Sequence, residues 1–251
     1  MTAFVALTRA TLKASSRDTA TVFFTFAFPL LFLVIFGLIF QGQEVEETGN
    51  KYIDFIAPGV LSWGLGNAAV FGIAFMLVQW RRDDLLRLIR LTPARASSVA
   101  LARLVVAVVI AVAQCLLFIA VAMLPPFNMT VAGPWPLALP AVLLTVAAFL
   151  ALGLVIGSAA KTPEAVAAVT NCVVIPMAFL SGAFIPLELM PGWLQNISYA
   201  MPLRYVDDAL VYSLAGAGEA QAYWVACLAL LGFAAAFAAV GLRLFKWGNE
   251  E

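Results

Sequence analysis

The sequence predicts an all-α membrane protein with six transmembrane helices. Three observations predict it. Hydrophobic residues fill 64% of the 251 positions and charged residues 11%, with a mean hydropathy of +1.00, where a soluble domain carries about 25% charged residues. Six runs contain no charged residue and are long enough to cross about 30 Å of hydrocarbon, which takes roughly 20 helical residues. Of the 14 Lys and Arg residues, 12 fall on one side of those runs, and only Lys51 and Arg204 fall on the other.

Composition also excludes functions. The chain has no His, which removes His proton relays, His metal sites and Ser-His triads. Cys115, Cys172 and Cys227 lie inside predicted spans, are too scattered for a zinc motif, and read as packing residues. No metal site is expected. The net charge is zero, so nothing points to nucleic acid. Nothing reads Gly-x-x-x-x-Gly-Lys-Ser/Thr, so the chain is not expected to be an enzyme or to hydrolyse ATP by the usual route.

Residues 1–18 place Arg9, Lys13 and Arg17 at steps of four, one stripe of a helix. An amphipathic helix on the cytoplasmic surface fits, as does a plain signal-anchor flank. The first span, 20–40, exceeds a secretory apolar core, and no Ala-x-Ala site follows it, so it is read as retained, with Pro29 as a kink. Residues 41–54 form a loop with Glu44, Glu46, Glu47 and Asp54 against Lys51. The second span, 55–79, is rich in small residues that permit close helix packing.

Polarity then inverts. Residues 80–92 carry Arg81, Arg82, Arg87 and Arg90 with Asp83 and Asp84, interleaved with Leu and Ile and stopped at Thr92-Pro93. They read as a short amphipathic helix or as a plain positive-inside loop. The third span is 104–124, with Arg103 at its cytoplasmic end where it can snorkel. Pro125-Pro126 ends it, and Asn128-Met129-Thr130 in the next loop matches a glycosylation sequon, a weak pattern. The fourth span is 135–160, opened by Trp135 as an interface anchor. A turn, Lys161-Thr162-Pro163-Glu164, leads to the fifth span, 165–185. The sixth, 220–242, opens with Tyr223 and Trp224 at the outer interface, and Arg243, Lys246, Glu250 and Glu251 form a tail. The positive-inside rule places both termini in the cytoplasm.

Between the last two spans, residues 184–213 keep an apolar background but cannot form one helix. Over the wider stretch Ile175–Leu214, Pro176, Pro186, Pro191 and Pro202 interrupt the chain, Gly182 and Gly192 loosen it, and Glu188, Gln195, Asn196, Arg204, Asp207 and Asp208 add polarity. A re-entrant hairpin and a kinked span followed by an outer loop both fit. Its charged residues either sit in solvent or pair to hold the hairpin, with Arg204 three and four positions before Asp207 and Asp208. Within the spans, Asn67, Gln79, Gln114, Thr145, Thr170, Asn171 and Ser181 serve as interhelical hydrogen bonds, or Asn67, Thr170 and Asn171 line a translocation path for an amphipathic substrate. No ionisable residue occupies the middle of a span, and no internal repeat is visible, so an ion-coupled carrier built on inverted repeats has little support.

Four linked elements then stand in order: Ser181-Gly182, Phe184-Ile185-Pro186, Pro191-Gly192-Trp193-Leu194 and Pro202-Leu203-Arg204-Tyr205. This pattern resembles the signature of type-2 ABC exporter permeases, the membrane subunits of drug, lipid and polysaccharide exporters. The resemblance implies an interfacial elbow helix at the amino terminus. It also implies a coupling helix at about 80–92 docking on a separate ATPase through Arg81, Arg82, Asp83, Asp84, Arg87 and Arg90, supported by Arg9, Lys13 and Arg17. The family often reads Gly-Thr-Leu-Glu there, and this chain reads Asp84-Leu85-Leu86-Arg87, keeping only a leucine. The re-entrant region would form an outer gate from Ser181, Gly182, Pro186, Glu188, Pro191, Gly192, Trp193, Pro202, Arg204, Tyr205, Asp207 and Asp208. Partners implied are cytoplasmic ABC ATPases that carry ATP and Mg, a second permease copy or close relative, and membrane lipids. This chain itself would bind no cofactor. The location implied is the bacterial inner membrane.

The short loops and single-domain length resemble the daunorubicin-resistance branch most, which implies export of a hydrophobic drug or a lipid. A polysaccharide or glycolipid exporter is the alternative, although the aromatics are mostly Phe, 19 against 6 Trp and 5 Tyr. From other classes, an ATP-independent channel or carrier and a membrane scaffold also remain.

Overall fold

The computed structural model describes residues 3–40, 51–84 and 96–245. They form an all-helical bundle. Helix α1 is Ala3–Arg17. Helix α2 covers 19–39 without a gap, as Thr19–Val22, a π-helical stretch Phe23–Ala27 and Phe28–Ile39. Pro29 supplies a reason for the π stretch: it has no N–H for the carbonyl one turn earlier, and its ring would crowd that carbonyl, which a wider turn relieves. Helix α3 is Tyr52–Arg82, α4 is Ala96–Ala122, and α5 is Ala138–Ala159 after a 3₁₀ turn at Trp135–Leu137. Helix α6 is Pro163–Leu180, α7 is Gly192–Ser198, α8 is Pro202–Leu210 with a π turn at Val211–Ala215, and α9 is Ala220–Leu244.

Among the described residues, five helices are long and apolar enough to cross a membrane: α3, α5, α6, α9 and the Leu101–Ala122 part of α4. The sequence reading had six spans. Its first, 20–40, corresponds to α2, whose apolar part Phe23–Ile39 falls just short of that length. Several predicted boundaries also move. Asp54, read as loop, lies in the first turn of α3, and α6 stops at Leu180 rather than near Ile185.

Helix α3 is the axis of the bundle. Two-thirds (67%) of its apolar window is buried, against 22% for α9. It packs on α2, α4, α5, α6 and α8. The contact with α5 is closest. A Cβ on Gly153 would stand 2.6 Å from the Val70 carbonyl oxygen, and one on Gly157 would stand 2.9 Å from Ala74 Cα. The Gly153-x-x-x-Gly157 spacing therefore lets the backbone of α5 close on the backbone of α3, with Ile73 and Leu77 of α3 packed against the same two glycines. Tyr223, expected at the outer interface, instead turns inward. It is fully buried, and its hydroxyl donates to the Leu137 carbonyl at 2.9 Å, tying α9 to the start of α5. Cys115 and Cys227 are buried, whereas Cys172 on α6 is exposed.

If the α3–α5 contact holds the bundle, Gly153→Ala must push the helices apart at a cost of about 1–3 kcal/mol. A thermal unfolding scan in detergent should show a midpoint lower by several degrees. Gly232→Ala, where a Cβ meets nothing within 4 Å, should leave the midpoint unchanged.

Candidate functional site

The described residues place the sequence-predicted groups at two opposite ends of the bundle. At one end, the chain breaks after α6. Ser181 caps the helix with its amide on the Met177 carbonyl, and its buried hydroxyl donates to Ala178 at 3.3 Å. Gly182 follows at φ +95°, a conformation that any side chain would strain. Pro186 and Pro191 then head a 3₁₀ turn and α7, and Pro202 opens α8. Ala183 sits directly on α3: a Cβ on Gly59 would stand 1.9 Å from its carbonyl oxygen. Phe184 enters an aromatic cluster with Phe32 (6.1 Å between ring centroids, nearly parallel), Phe36 (5.8 Å), Trp63 (5.6 Å) and Phe179 (5.4 Å).

Arg204 ties α7 to α8. Its guanidinium donates to the Ser198 hydroxyl and to the Gln195 carbonyl at 3.4 Å, pairs with Asp208 at 3.7 Å, and lies 3.9 Å over the Tyr199 ring. Tyr205 adds a bond to the Tyr199 carbonyl at 2.8 Å. Asp207 does not join this pairing. It is buried against α3, with Oδ1 3.5 Å from Ser62 Oγ, and Ser62 itself donates to Gly59 at 2.7 Å. Trp193 is exposed, and a Cβ on Gly192 would meet nothing within 4 Å among the described residues. The side chain of Glu188 lies outside the described residues. At this same end, Asp54 accepts from the Thr130 amide and hydroxyl, both at 2.8 Å, and Lys51 donates to Asn128 at 3.3 Å. Together they pin α3 to the α4–α5 loop.

The other end holds α1, the end of α3, the start of α4 and the α5–α6 turn. Arg9, Lys13 and Arg17 are exposed on α1. Arg81, assigned from sequence to a partner, is turned into its own protein. It donates to the Gly157 carbonyl at 3.2 Å and the Ala160 carbonyl at 3.1 Å, capping the last turn of α5, where a cation also meets the negative end of the helix dipole. Arg82 faces Glu164 at 4.0 Å, and both are open to solvent, so this pair stabilises little. Asp83 accepts from Gln79 at 3.0 Å, and Asp84 leaves the helix at φ +52°. Arg87, Arg90 and the rest of 85–95 lie outside the described residues. Arg103 does not snorkel. It bends inward, and its guanidinium donates to the Gly72 carbonyl on α3.

Of the three path candidates, Asn67 on α3 and Thr170 on α6 are buried and Asn171 is exposed. Thr170 Oγ1 has no hydrogen-bond partner among the described residues.

Residues 2–215 match the family described as ABC-2 type transporter. The chain belongs to that family. Similar proteins include the inner membrane transport permease YadH of Escherichia coli, 24% identical over 75% of this chain and 73% of the relative. The daunorubicin resistance ABC transporter permease protein DrrB1 of Streptomyces coeruleorubidus is 34% identical over 41% of this chain and 35% of the relative. The linearmycin resistance permease protein LnrN of Bacillus subtilis is 30% identical over 38% of this chain and 25% of the relative. This ABC-2 permease is thus a transport subunit and a multi-pass protein of the bacterial inner membrane.

Sequence reading passed over three groups that shape these ends. Asp54 stood out only as one acid among several, Thr130 only as a sequon residue, and Ser62 not at all. The signal available was an Asp and a Ser within residues 52–63 of α3, which are otherwise apolar or small.

Lysine at position 204 keeps the charge but loses the planar fork that reaches Ser198, Gln195 and Asp208 together. Arg204→Lys should therefore loosen α7 from α8. Hydrogen exchange should show amides of 192–200 opening about tenfold more often, a loss of about 1.4 kcal/mol, while the amides of α5 stay as protected as before.

Proposed function

We propose that this permease forms the membrane half of an ATP-driven exporter and moves a hydrophobic drug-like or lipid-like substrate out of the cytoplasm or the inner leaflet. Two copies, or one copy with a close relative, assemble with two cytoplasmic ATPases that bind ATP and Mg. The permease adds six spans with both termini inside, α2 being the first. The relatives named for daunorubicin and linearmycin resistance support the substrate class, and the sparse polar points among apolar helices suit it. Polysaccharide or glycolipid export is the second substrate reading.

The observation that carries the mechanism is the Arg81 link. The segment after Arg82 is where an ATPase would dock. Motion imposed there reaches α3, and Arg81 together with the Gly153–Gly157 contact makes α5 move with it. At the far end, Ala183 rests on Gly59 and Asp207 faces Ser62. Ser62 is ten residues into α3, about 15 Å along its axis, or half the depth of a hydrocarbon core of about 30 Å. This depth supports reading 184–213 as a re-entrant hairpin and an outer gate that α3 can lift. Asn171, Cys172, Ile175 and Phe179 leave one side of α6 uncovered, which suits contact with the second copy.

The test separates docking from transmission. Arg82→Glu combined with Arg87→Glu should weaken co-purification of the ATPase subunit from mild detergent. Arg81→Ala should leave co-purification intact and lower export per ATP hydrolysed by about tenfold, within the usual range of coupling energies. A chain that purifies alone and moves substrate without ATP would sink the exporter reading in favour of a channel or carrier.

A further inference from the structure

A second polar feature runs inward from the α1 end of the bundle. Arg103 and Gln114 are eleven residues apart on α4, so they share one face at about 16 Å along the axis. Ala107 and Ala111 lie between them on that face and leave a gap. A pocket of about 30 Å³ occupies it, walled also by α1, α2, α3 and α5, with Ser15, Thr21 and Thr25 contributing hydroxyls. Thr25 belongs to the π-helical stretch, a distortion often found where a helix serves a ligand. Gly72 admits the guanidinium, since a Cβ there would stand 2.7 Å from it.

The pocket is unsatisfied. Gln114 is 2% exposed, yet among the described residues neither its amide nitrogen nor its oxygen has a partner, and Arg103 Nε is buried without one. Leaving such groups bare costs roughly 1–3 kcal/mol each, and more for a charge inside a membrane. Among the described residues the lining itself holds one cation, one carboxamide and three hydroxyls, of which Thr21 already donates to the neighbouring Asp18 carboxylate, leaving Ser15 and Thr25 beside Arg103 and Gln114. That set is complementary to anionic oxygen. A volume of about 30 Å³ takes two oxygen-sized groups, so only one or two oxygens of a larger anionic head enter and the remainder of the molecule lies outside. The remaining lining is apolar, and Phe23, Phe24 and Leu101 nearby in sequence face outward. The exposed basic stripe on α1, whose Ser15 reaches the pocket, would concentrate anionic lipid beside it.

We propose that this pocket binds the anionic head of a membrane lipid, with head oxygens on Arg103 and Gln114 and the acyl chains along the outer face of α2 and α4. The test uses the full chain in detergent micelles with no ATPase present, so its outcome is independent of the exporter reading. Native mass spectrometry and thermal unfolding are followed while phosphatidylglycerol, phosphatidylcholine or inorganic phosphate is added. Phosphatidylglycerol should stay bound and raise the midpoint, while the other two do so at least about tenfold more weakly. Gln114→Leu should weaken phosphatidylglycerol about fivefold or more, and Arg103→Gln about tenfold or more. An empty pocket predicts the reverse for Gln114→Leu: bare polar atoms are removed, so the midpoint rises and lipid retention is unchanged. That result would overturn the proposal even if Arg103→Gln fails to fold. Inorganic phosphate matching phosphatidylglycerol would overturn the lipid assignment in favour of a free anion, and equal retention of the two lipids would overturn recognition of charge.

Discussion

A backbone that leaves α-helical geometry at bilayer depth finds no water, so protein must meet its carbonyls and amides. The described residues leave that geometry in a few places, and each is met locally. The π stretch of α2 keeps the chain helical through Pro29. The break after α6 is closed by the Ser181 cap and packed on the backbone of α3 at Gly59. The π turn after α8 is held where Gly133 donates to the Leu214 carbonyl at 3.0 Å. The irregular segments are thus lodged against other elements of the bundle, and the small residues of α3 are what make room for them.

This places α3 in an unusual position for one helix. Its start is clasped by Asp54 to Thr130, its first half carries Ala183 and Asp207, its second half packs on α5, and its end is fastened through Arg81 to the last turn of α5. Packing this close leaves little room for displacement, with backbone and the Ile73 and Leu77 side chains of α3 both against the glycines of α5. Carbonyl bonds from Arg81 add direction. These contacts and bonds fasten α3 to α5 along one shared seam.

The helical class and the apolar runs were legible because hydropathy and charge are properties of consecutive residues. Membership of the ABC-2 family was legible for the same reason, since Ser181–Leu210 carries its signature within one stretch. The direction of a side chain is not a property of consecutive residues. Arg81 and Arg82 are adjacent and chemically alike, yet one caps α5 and the other faces solvent, because a 100° step around a helix separates them. Arg103 and Tyr223 followed general rules for interfacial residues in the sequence reading, and each was overridden by a specific backbone carbonyl, Gly72 and Leu137. Asp207 and Asp208 likewise divide between the α3 side and Arg204.

The uneven exposure of the three thiols has a practical side. Cys115 and Cys227 are enclosed, and Cys172 alone is accessible, on the face of α6 that carries Asn171. In the isolated chain in detergent a permeant maleimide would therefore mark a single, known position without any engineered cysteine, and loss of that labelling would report whatever comes to cover this face of α6.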